Sequence, residues 1–179
     1  MAELDLNDTV LCTATMGFGR LHDFAEAAGK AGFSAISLSG GDYKSARAEG
    51  MSDLDIRALL ADNGLQIAEL DGVVDWLAPQ PQAQGAGYDL DIPFFGHTQD
   101  AFFAMADGLG ARSITAVDPF ERTVPLEVMV ECFARLCDRA AEHGLLVHLE
   151  FLSWGPVPDL ATAWDIVRLA NRANGGIML

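Results

Sequence analysis

Amphipathic helical segments and short apolar segments alternate along this chain of 179 residues. At five places a stretch with helical spacing of its apolar side chains reaches a glycine, and an aliphatic or β-branched run follows. Glycine suits the position after a helix because it adopts the left-handed backbone conformation without a side-chain clash. The alternation predicts βα units and a parallel sheet. The five runs are AGFSAISLS, NGLQIAEL, LGARSITAV, HGLLVHLEFL and NGGIML.

The same pattern sets the boundaries of the predicted elements. Ser52, Thr98 and Asp159 are typical helix N-caps, and a first helix is predicted over LHDFAEAAGKAG. A fourth helix follows Thr123 and has Pro125 in its first turn. Residues 77–96 contain three prolines and three glycines and predict a long loop on the strand-exit side. The predicted strands are 10–16, 34–39, 66–74, 113–117 and 145–152, with a sixth beginning at 175.

Two architectures accommodate such a sheet. A doubly wound open sheet of five or six strands fits the length, whereas a (β/α)8 barrel typically needs about 250 residues. In a barrel, the chain supplies five units and the start of strand six, and we predict the strand order 1-2-3-4-5 with every helix on one side of the sheet. Length favours the open sheet, whereas the residues at the strand exits favour the barrel.

Composition narrows the classes of partner. Half of the residues are hydrophobic, which indicates one soluble globular domain, and the net charge of −15 argues against a nucleic-acid partner. The N-terminus lacks an apolar signal core, and no apolar run approaches the roughly 18 residues of a membrane span. We therefore expect a cytoplasmic protein with a small-molecule substrate. Cys12, Cys132 and Cys137 are expected to be reduced thiols.

The fifth strand carries the most specific candidate residue. In LLVHLEFLSW, His148 and Glu150 share one face of the strand by the two-residue period. A carboxylate at the exit of an apolar strand is costly to bury unless it is paired or bound to a cation. Glu150 is therefore either the partner of an arginine, or a metal ligand or catalytic acid/base, and His148 is interpreted as a hydrogen-bonded core histidine.

Other strand exits offer candidates for a substrate wall. Glu69 and Asp71 fall on one face of the third strand, which indicates a polar site, although Asp71-Gly72 is equally compatible with a turn. Asp118 precedes a proline, where an Asx-type turn is the simpler interpretation. Trp154 flanks the exit of strand five, as Trp76 flanks that of strand three, and both fit either a pocket wall or packing against loop prolines.

The block LEFLSWGPVPDLATAWDIVRLANRANGGIML resembles the xylose-isomerase-like TIM-barrel superfamily of sugar phosphate isomerases and epimerases. Members often have a fifth strand that ends in Glu-Phe, with Trp and Pro nearby and an Asn-Gly-Gly turn into strand six. The segment AELDGVVDWL is similar to the family's third strand. The resemblance covers the chain from about residue 10.

The resemblance implies a divalent cation, Mn, Mg or Zn, bound by four side chains at the exits of strands five to eight. Glu150 matches the first ligand, while the other three belong after strand six and further on. One ligand of four does not hold a metal with useful affinity. The family's activity is therefore implied for the complete barrel, and the 179 residues alone are expected neither to retain the metal nor to catalyse isomerisation.

We therefore predict a single domain, residues 1–179, that forms part of a (β/α)8 TIM barrel, either a truncated polypeptide or a half-barrel. Its unpaired sheet edges predict a homo-oligomer. The implied activity is metal-dependent isomerisation or epimerisation of a sugar-like or hydroxy-keto compound, with Glu150 as metal ligand and catalytic residue. Glu69, Asp71, Asp118 and Trp154 would contact the substrate. A lyase or dehydratase on the same scaffold, and a non-catalytic binding module or subunit, are the alternatives; an abasic-site endonuclease is disfavoured by the charge.

Overall fold

The computed structural model describes residues 4, 5, 7–17, 19–77 and 97–179, so most of the predicted loop 77–96 lies outside it. Strands and helices alternate along these ranges. The strands are β1 Val10–Cys12, β2 Ala35–Ser39, β3 Gln66–Val73, β4 Ser113–Ala116, β5 Leu146–Leu149 and β6 Gly175–Ile177. The helices are α1 Leu21–Ala31, α2 Gly40–Ala48, α3 Asp53–Asp62, α4 Gln99–Leu109, α5 Leu126–Glu142 and α6 Leu160–Ala170.

The six strands form one sheet in the order β1-β2-β3-β4-β5-β6, and every neighbouring pair is parallel. This order confirms the barrel prediction, because a doubly wound sheet reverses its strand order about a switch point. All strand exits consequently lie along one edge of the sheet. Ligand sites in parallel α/β folds are found at that edge.

The two faces of the sheet differ in polarity. One face packs against the helices and is apolar; Ile36, Leu70, Ile114, Val147 and Leu149 on that face are completely buried. The opposite face lines a cavity whose walls come only from strands or from residues directly after them. The helices therefore cover a single face of the sheet, as a barrel requires.

Local capping explains where several helices begin. Ser52 and Asp55 form a capping box at α3, and Thr98 and Asp159 accept hydrogen bonds from Ala101 and Thr162 at α4 and α6. These N-caps are the ones the sequence predicts. Pro125 occupies the N-cap of α5 rather than its first turn.

Two local predictions differ from the structure. The first strand ends at Cys12, and residues 13–16 form a 3-10 turn instead of continuing the predicted strand to Met16. A helix that the sequence pattern did not indicate, α2, begins directly at the exit of β2. Ser39 caps it in a capping box with Asp42, although its mixed polar sequence GGDYKSARA has little apolar periodicity.

Within the described ranges, no helix combines the length and apolar character needed to cross a membrane. The three cysteines are free thiols, and Cys132 and Cys137 are buried in the hydrophobic core.

Candidate active site

A cavity of about 460 Å³ lies on the concave face of the sheet. Its walls carry three carboxylates, a histidine and several hydroxyl or thiol groups. Every strand contributes at least one residue, so the parallel order brings groups far apart in sequence into one space. The lining residues are Val10, Cys12, Ser37, Ala68, Glu69, Asp71, Ser113, Thr115, His148, Glu150, Ile177 and Met178.

Glu69 is the centre of a hydrogen-bond network that spans three strands. Thr115 Oγ1 donates to Glu69 Oε1 at 2.6 Å, and Ser113 Oγ donates to Oε2 at 2.9 Å. His148 Nδ1 lies 2.6 Å from the same Oε2. Burial by itself would raise the pKa of Glu69, but the hydrogen bonds from His148 and Thr115, the charge of His148 and the hydrogen bond from Ser113 together outweigh it and lower the pKa. Glu69 is therefore held as a carboxylate.

An ionised Glu69 fixes a proton on Nδ1 of His148. A carboxylate only accepts hydrogen bonds, so the Nδ1 of His148 must carry the proton that lies between the two groups. In the neutral imidazole, Nε2 is then an acceptor. The His148 side chain is 29% exposed, and the ring lines the cavity. The sequence-based interpretation of His148 as a hydrogen-bonded histidine is correct, but the residue also reaches the site.

A β-bulge places the two carboxylates of β3 in the cavity. Ile36 pairs with Ile67, while the next residue, Ser37, pairs with Glu69, so Ala68 is an extra residue in β3. Strict alternation from the buried Ile67 would point Glu69 and Asp71 toward the helices. The bulge reverses the alternation, and both acids face the cavity as the sequence predicted.

Of the three carboxylates in the cavity, Asp71 and Glu150 have no positively charged partner among the described residues. Burial, followed by the negative charge of Glu150, raises the pKa of Asp71 to about 7, and its Oδ1 is buried without a hydrogen-bond partner. Burial and then the charge of Glu69 raise the pKa of Glu150. In the described part of the chain, Glu150 forms no ion pair, so the arginine alternative for this residue is not supported.

The backbone holds Glu150 at the strand exit. Its N–H donates to the carbonyl of Ala116 at 2.9 Å, which extends the β4–β5 ladder by one residue beyond Leu149. Glu150 therefore points into the cavity one layer above His148, as alternation along the strand requires.

Asp118 and Trp154 lie at the same edge of the sheet but do not line this cavity. Asp118 accepts a hydrogen bond from the Phe120 N–H at 3.0 Å, an Asx-type turn, and forms an ion pair with Arg122. Trp154 is 56% exposed, and its Nε1 donates to the Pro119 carbonyl at 3.2 Å. Substrate contacts by these two residues stay predictions. Trp76 is buried in the core and packs edge-on against Phe133.

A divalent metal was implied at Glu150, and the residues present fit only part of such a site. Glu150 is an available carboxylate ligand, and the unpartnered Asp71 Oδ1 lies in the same cavity. However, within the ranges that the structure covers, no group of three or more His, Cys, Asp or Glu side chains is arranged to hold a metal ion. The described residues therefore do not form a complete coordination shell.

A curated relative shares sequence with this chain. The chain is 29% identical over 170 residues to the 3-dehydroshikimate dehydratase of Pseudomonas aeruginosa, a match that covers 90% of this chain and 24% of that protein. No family model matches. The chain thus spans about a quarter of the length of the relative.

Solved structures establish the fold. A zinc-bound IolI protein superposes with a TM-score of 0.76 at 20% identity, and a xylose isomerase domain protein of Salmonella typhimurium with a TM-score of 0.74 at 16% identity. The chain has the xylose isomerase-like TIM-barrel fold. A D-psicose 3-epimerase of Clostridium cellulolyticum matches at a TM-score of 0.66 and 14% identity.

The superpositions include nearly all of this chain but only part of each solved structure. These three superpositions cover 95%, 98% and 95% of the chain but only 61%, 61% and 62% of the solved structures. The six described strands therefore correspond to part of an eight-stranded barrel, as the sequence predicted.

Proposed function

We propose that this cavity belongs to an enzyme that moves a proton at a carbon next to a carbonyl group in a hydroxylated small molecule. The observation that carries the proposal is the placement of Asp71 and Glu150, two carboxylates without a cationic partner among the described residues, at one strand-exit edge. A group with a pKa near the working pH exchanges protons with a substrate most effectively. The raised pKa of Asp71, about 7, supports that role.

Isomerisation or epimerisation of a sugar-like or hydroxy-keto compound is the outcome that we favour. Both reactions remove a proton from a carbon next to the carbonyl group and return it to the other face of that carbon or to a neighbouring carbon, so they need a proton-transfer group that faces the substrate. Asp71 provides such a group, and Glu150 lies in the same cavity. The structural neighbours include an epimerase, which is consistent with this outcome on this fold.

Dehydration is the second candidate, because the curated relative is a dehydratase. The first step is the same: a base takes the proton next to the carbonyl. A neighbouring hydroxyl group then leaves as water after it receives a proton. The two candidates therefore share their base and differ in the fate of the enolate.

Glu150 is the one described residue that we assign as a ligand of the metal implied by the family resemblance. We propose that Glu150 supplies one oxygen ligand to a divalent cation in the completed barrel, as the zinc-bound IolI neighbour suggests for this fold. When bound, the cation would polarise the carbonyl oxygen of the substrate. Asp71 would carry the proton, and Glu69 would hold His148 in place.

The test uses a completed barrel. The superposed part of IolI is replaced by residues 10–179, and the remainder of IolI closes the barrel. The purified chimera is incubated in deuterium oxide with D-tagatose or 3-dehydroshikimate, and the products are identified by NMR. We expect deuterium next to the carbonyl group and loss of that exchange in Glu150→Gln. A folded, zinc-loaded chimera that exchanges no deuterium with either compound contradicts the proposal.

A further inference from the structure

Two Asn-Gly pairs occupy the same kind of position in this fold. Asn63-Gly64 connects α3 to β3, and Asn174-Gly175 connects α6 to β6. Both pairs therefore lie at the edge of the sheet where the strands begin, opposite the strand exits. No other asparagine of the chain is followed by glycine. Glycine has no side chain to shield its backbone nitrogen, so an asparagine before glycine is especially prone to spontaneous loss of its amide group.

The reaction needs only the chain and water. The backbone nitrogen of the glycine attacks the side-chain carbonyl carbon of the asparagine, and a new C–N bond closes a five-membered succinimide. The bond from that carbon to Nδ2 breaks, and the amide leaves as ammonia with the proton of the glycine N–H. Water then opens the ring at either carbonyl group and gives aspartate or isoaspartate. The attack requires the asparagine side chain and the glycine nitrogen to turn toward each other.

The sheet holds Asn174 away from this geometry. Its Nδ2 donates to the carbonyl oxygens of Cys137 and Leu145 at 2.9 and 3.0 Å. Its own carbonyl accepts a hydrogen bond from the Val147 N–H at 2.8 Å. Gly175 is already part of β6 and packs tightly against α5. Turning the Gly175 nitrogen toward the Asn174 side chain would break these bonds and displace the strand, so the reaction requires the sheet to open.

A single helical turn restrains Asn63. This residue is the C-cap of α3, and its Nδ2 donates to the Leu59 carbonyl at 2.9 Å. The N–H of Gly64, an exposed residue, donates to the Ala61 carbonyl at 3.0 Å in the same turn. The last turn of a helix opens locally without unfolding of the rest of the protein. Such an opening frees the Asn63 amide and the Gly64 nitrogen together.

From this difference we infer that Asn63 is a site of spontaneous deamidation in the folded chain, and that Asn174 is protected until the sheet opens. The site lies at the end of the strands opposite the cavity carboxylate Glu150. The inference therefore does not depend on the proposed function.

The modification weakens the end of α3. An aspartate at position 63 cannot donate to the Leu59 carbonyl, and its negative charge lies at the negative end of the helix dipole. An isoaspartate also adds one carbon to the backbone at a close contact with α1, where a Cβ on Gly29 would lie 2.6 Å from the Asn63 carbonyl oxygen. We therefore expect the deamidated chain to melt at a lower temperature than the unmodified chain.

The experiment follows the unmodified full chain. The protein is kept at about pH 8 and 37 °C in 18O-labelled water, so that each new carboxylate carries the label. Labelled peptides are identified by mass spectrometry, and isoaspartate is identified by methylation with an isoaspartyl methyltransferase. Because one helical turn opens far more often than the sheet, we expect label at Asn63 at least tenfold faster than at Asn174.

Urea separates local opening from global unfolding. Below the unfolding transition the rate at Asn63 should change less than about twofold, whereas the rate at Asn174 should rise with the unfolded fraction. In the fully unfolded chain the two rates should agree within about threefold, because both asparagines then precede a flexible glycine. Label at Asn174 as early as at Asn63 in the folded chain overturns the inference. A folded chain without label at Asn63, under conditions that label the unfolded chain there, also overturns it.

A matched pair of variants tests the consequence for stability. Asn63→Asp reproduces one product and should lower the melting temperature by about 2–4 °C. Asn7→Asp adds the same charge at an exposed position outside the helices and should not change it. An unchanged melting temperature in Asn63→Asp would contradict the expected weakening of α3. The labelling experiment uses the unmodified chain and decides the site of reaction whether or not a variant folds.

Discussion

At the level of single residues, one of the three cavity carboxylates accepts several hydrogen bonds, and the other two have neither a cationic partner nor a hydrogen-bond donor among the described side chains. Glu69 has three donors, whereas Asp71 has a buried oxygen without a partner and lies near the negative charge of Glu150. A buried, uncompensated carboxylate favours its protonated form. The fold therefore keeps Asp71 in a state that titrates near neutral pH.

The pKa of Asp71 predicts a dependence of stability on pH. The folded pKa of about 7 exceeds the ordinary value of 3.8, so the protonated residue stabilises the fold below pH ~4, and this contribution is lost as the pH rises through 7. The Asp71→Asn variant cannot ionise at this position and therefore does not lose this stability as the pH rises. Because one pKa unit corresponds to about 1.4 kcal/mol and water screens part of it, we expect the variant to be more stable by about 1–2 kcal/mol at pH 8.

Urea denaturation of both proteins at pH 4 and pH 8 measures this effect. The difference in unfolding free energy should vanish at pH 4 and appear at pH 8. Asp62→Asn, on the exposed side of α3, is the control and should show no comparable gain. A constant difference at both pH values would mean that Asp71 does not titrate as described.

Glu150 gives a second prediction at this scale. In the completed barrel, Glu150→Gln should lower the affinity for Zn or Mn at least 100-fold and reduce activity with it, because an amide oxygen replaces an anionic ligand. The melting temperature should change little, since Glu150 forms no ion pair among the described residues. A variant that keeps its metal but melts much earlier would assign Glu150 a structural role.

The sequence identifies the acidic residues of the site but not the residues that donate hydrogen bonds to them. Glu69, Asp71 and Glu150 stand out because an acid in an apolar strand needs an explanation. Ser113 and Thr115 give no such signal, because small hydroxyl residues are common in strands and only the contact with Glu69 reveals their role. Asp118 was ambiguous for the same reason: its partner Arg122 is evident only in the folded chain.

At the level of elements, two adjacent glycines allow β6 to pack tightly on both faces. A Cβ on Gly175 would lie 3.0 Å from Phe133 Cε1 and 3.2 Å from Cys137 Sγ, both in α5. Gly176 faces the cavity side and His148 instead. The Asn-Gly-Gly turn that carried the family resemblance therefore has a packing reason in this fold.

These contacts predict unequal costs for two substitutions. Gly175→Ala should destabilise the protein by about 1–3 kcal/mol, since Phe133 and Cys137 are fully buried and have little room to shift. Gly176→Ala should cost less, because the partly exposed His148 ring yields more easily. Chemical denaturation of the pair measures the difference, and a larger cost at Gly176 would contradict this packing.

The sequence predicts secondary-structure elements correctly where capping residues and apolar periodicity agree. The helices with a capping residue and an apolar stripe were predicted, whereas α2 was missed because it forms at a strand exit from a polar segment. The bulge at Ala68 was also missed, since the extra residue leaves the apolar character of β3 unchanged. Strand order followed only from the family resemblance, because periodicity carries no information about which strands are neighbours.

At the level of the whole molecule, the described chain has exposed apolar surface on its last helix. Leu160 and Trp164 lie one turn apart on α6, and 48% and 57% of their surfaces are exposed. β1 and β6 each pair with one strand only in the described sheet. Unpaired strand edges and apolar patches of this kind favour association.

We therefore predict that the 179-residue chain self-associates through the α6 face and the β6 edge. Sedimentation at about 100 µM should give a mass of at least a dimer. Trp164→Glu should weaken the association at least tenfold, because it places a charge in the apolar contact. Leu54→Glu, at a 73% exposed position on α3, is the matched control and should leave the mass unchanged. A monomer at this concentration would show that the apolar face of α6 is tolerated in water, and the homo-oligomer prediction would be wrong.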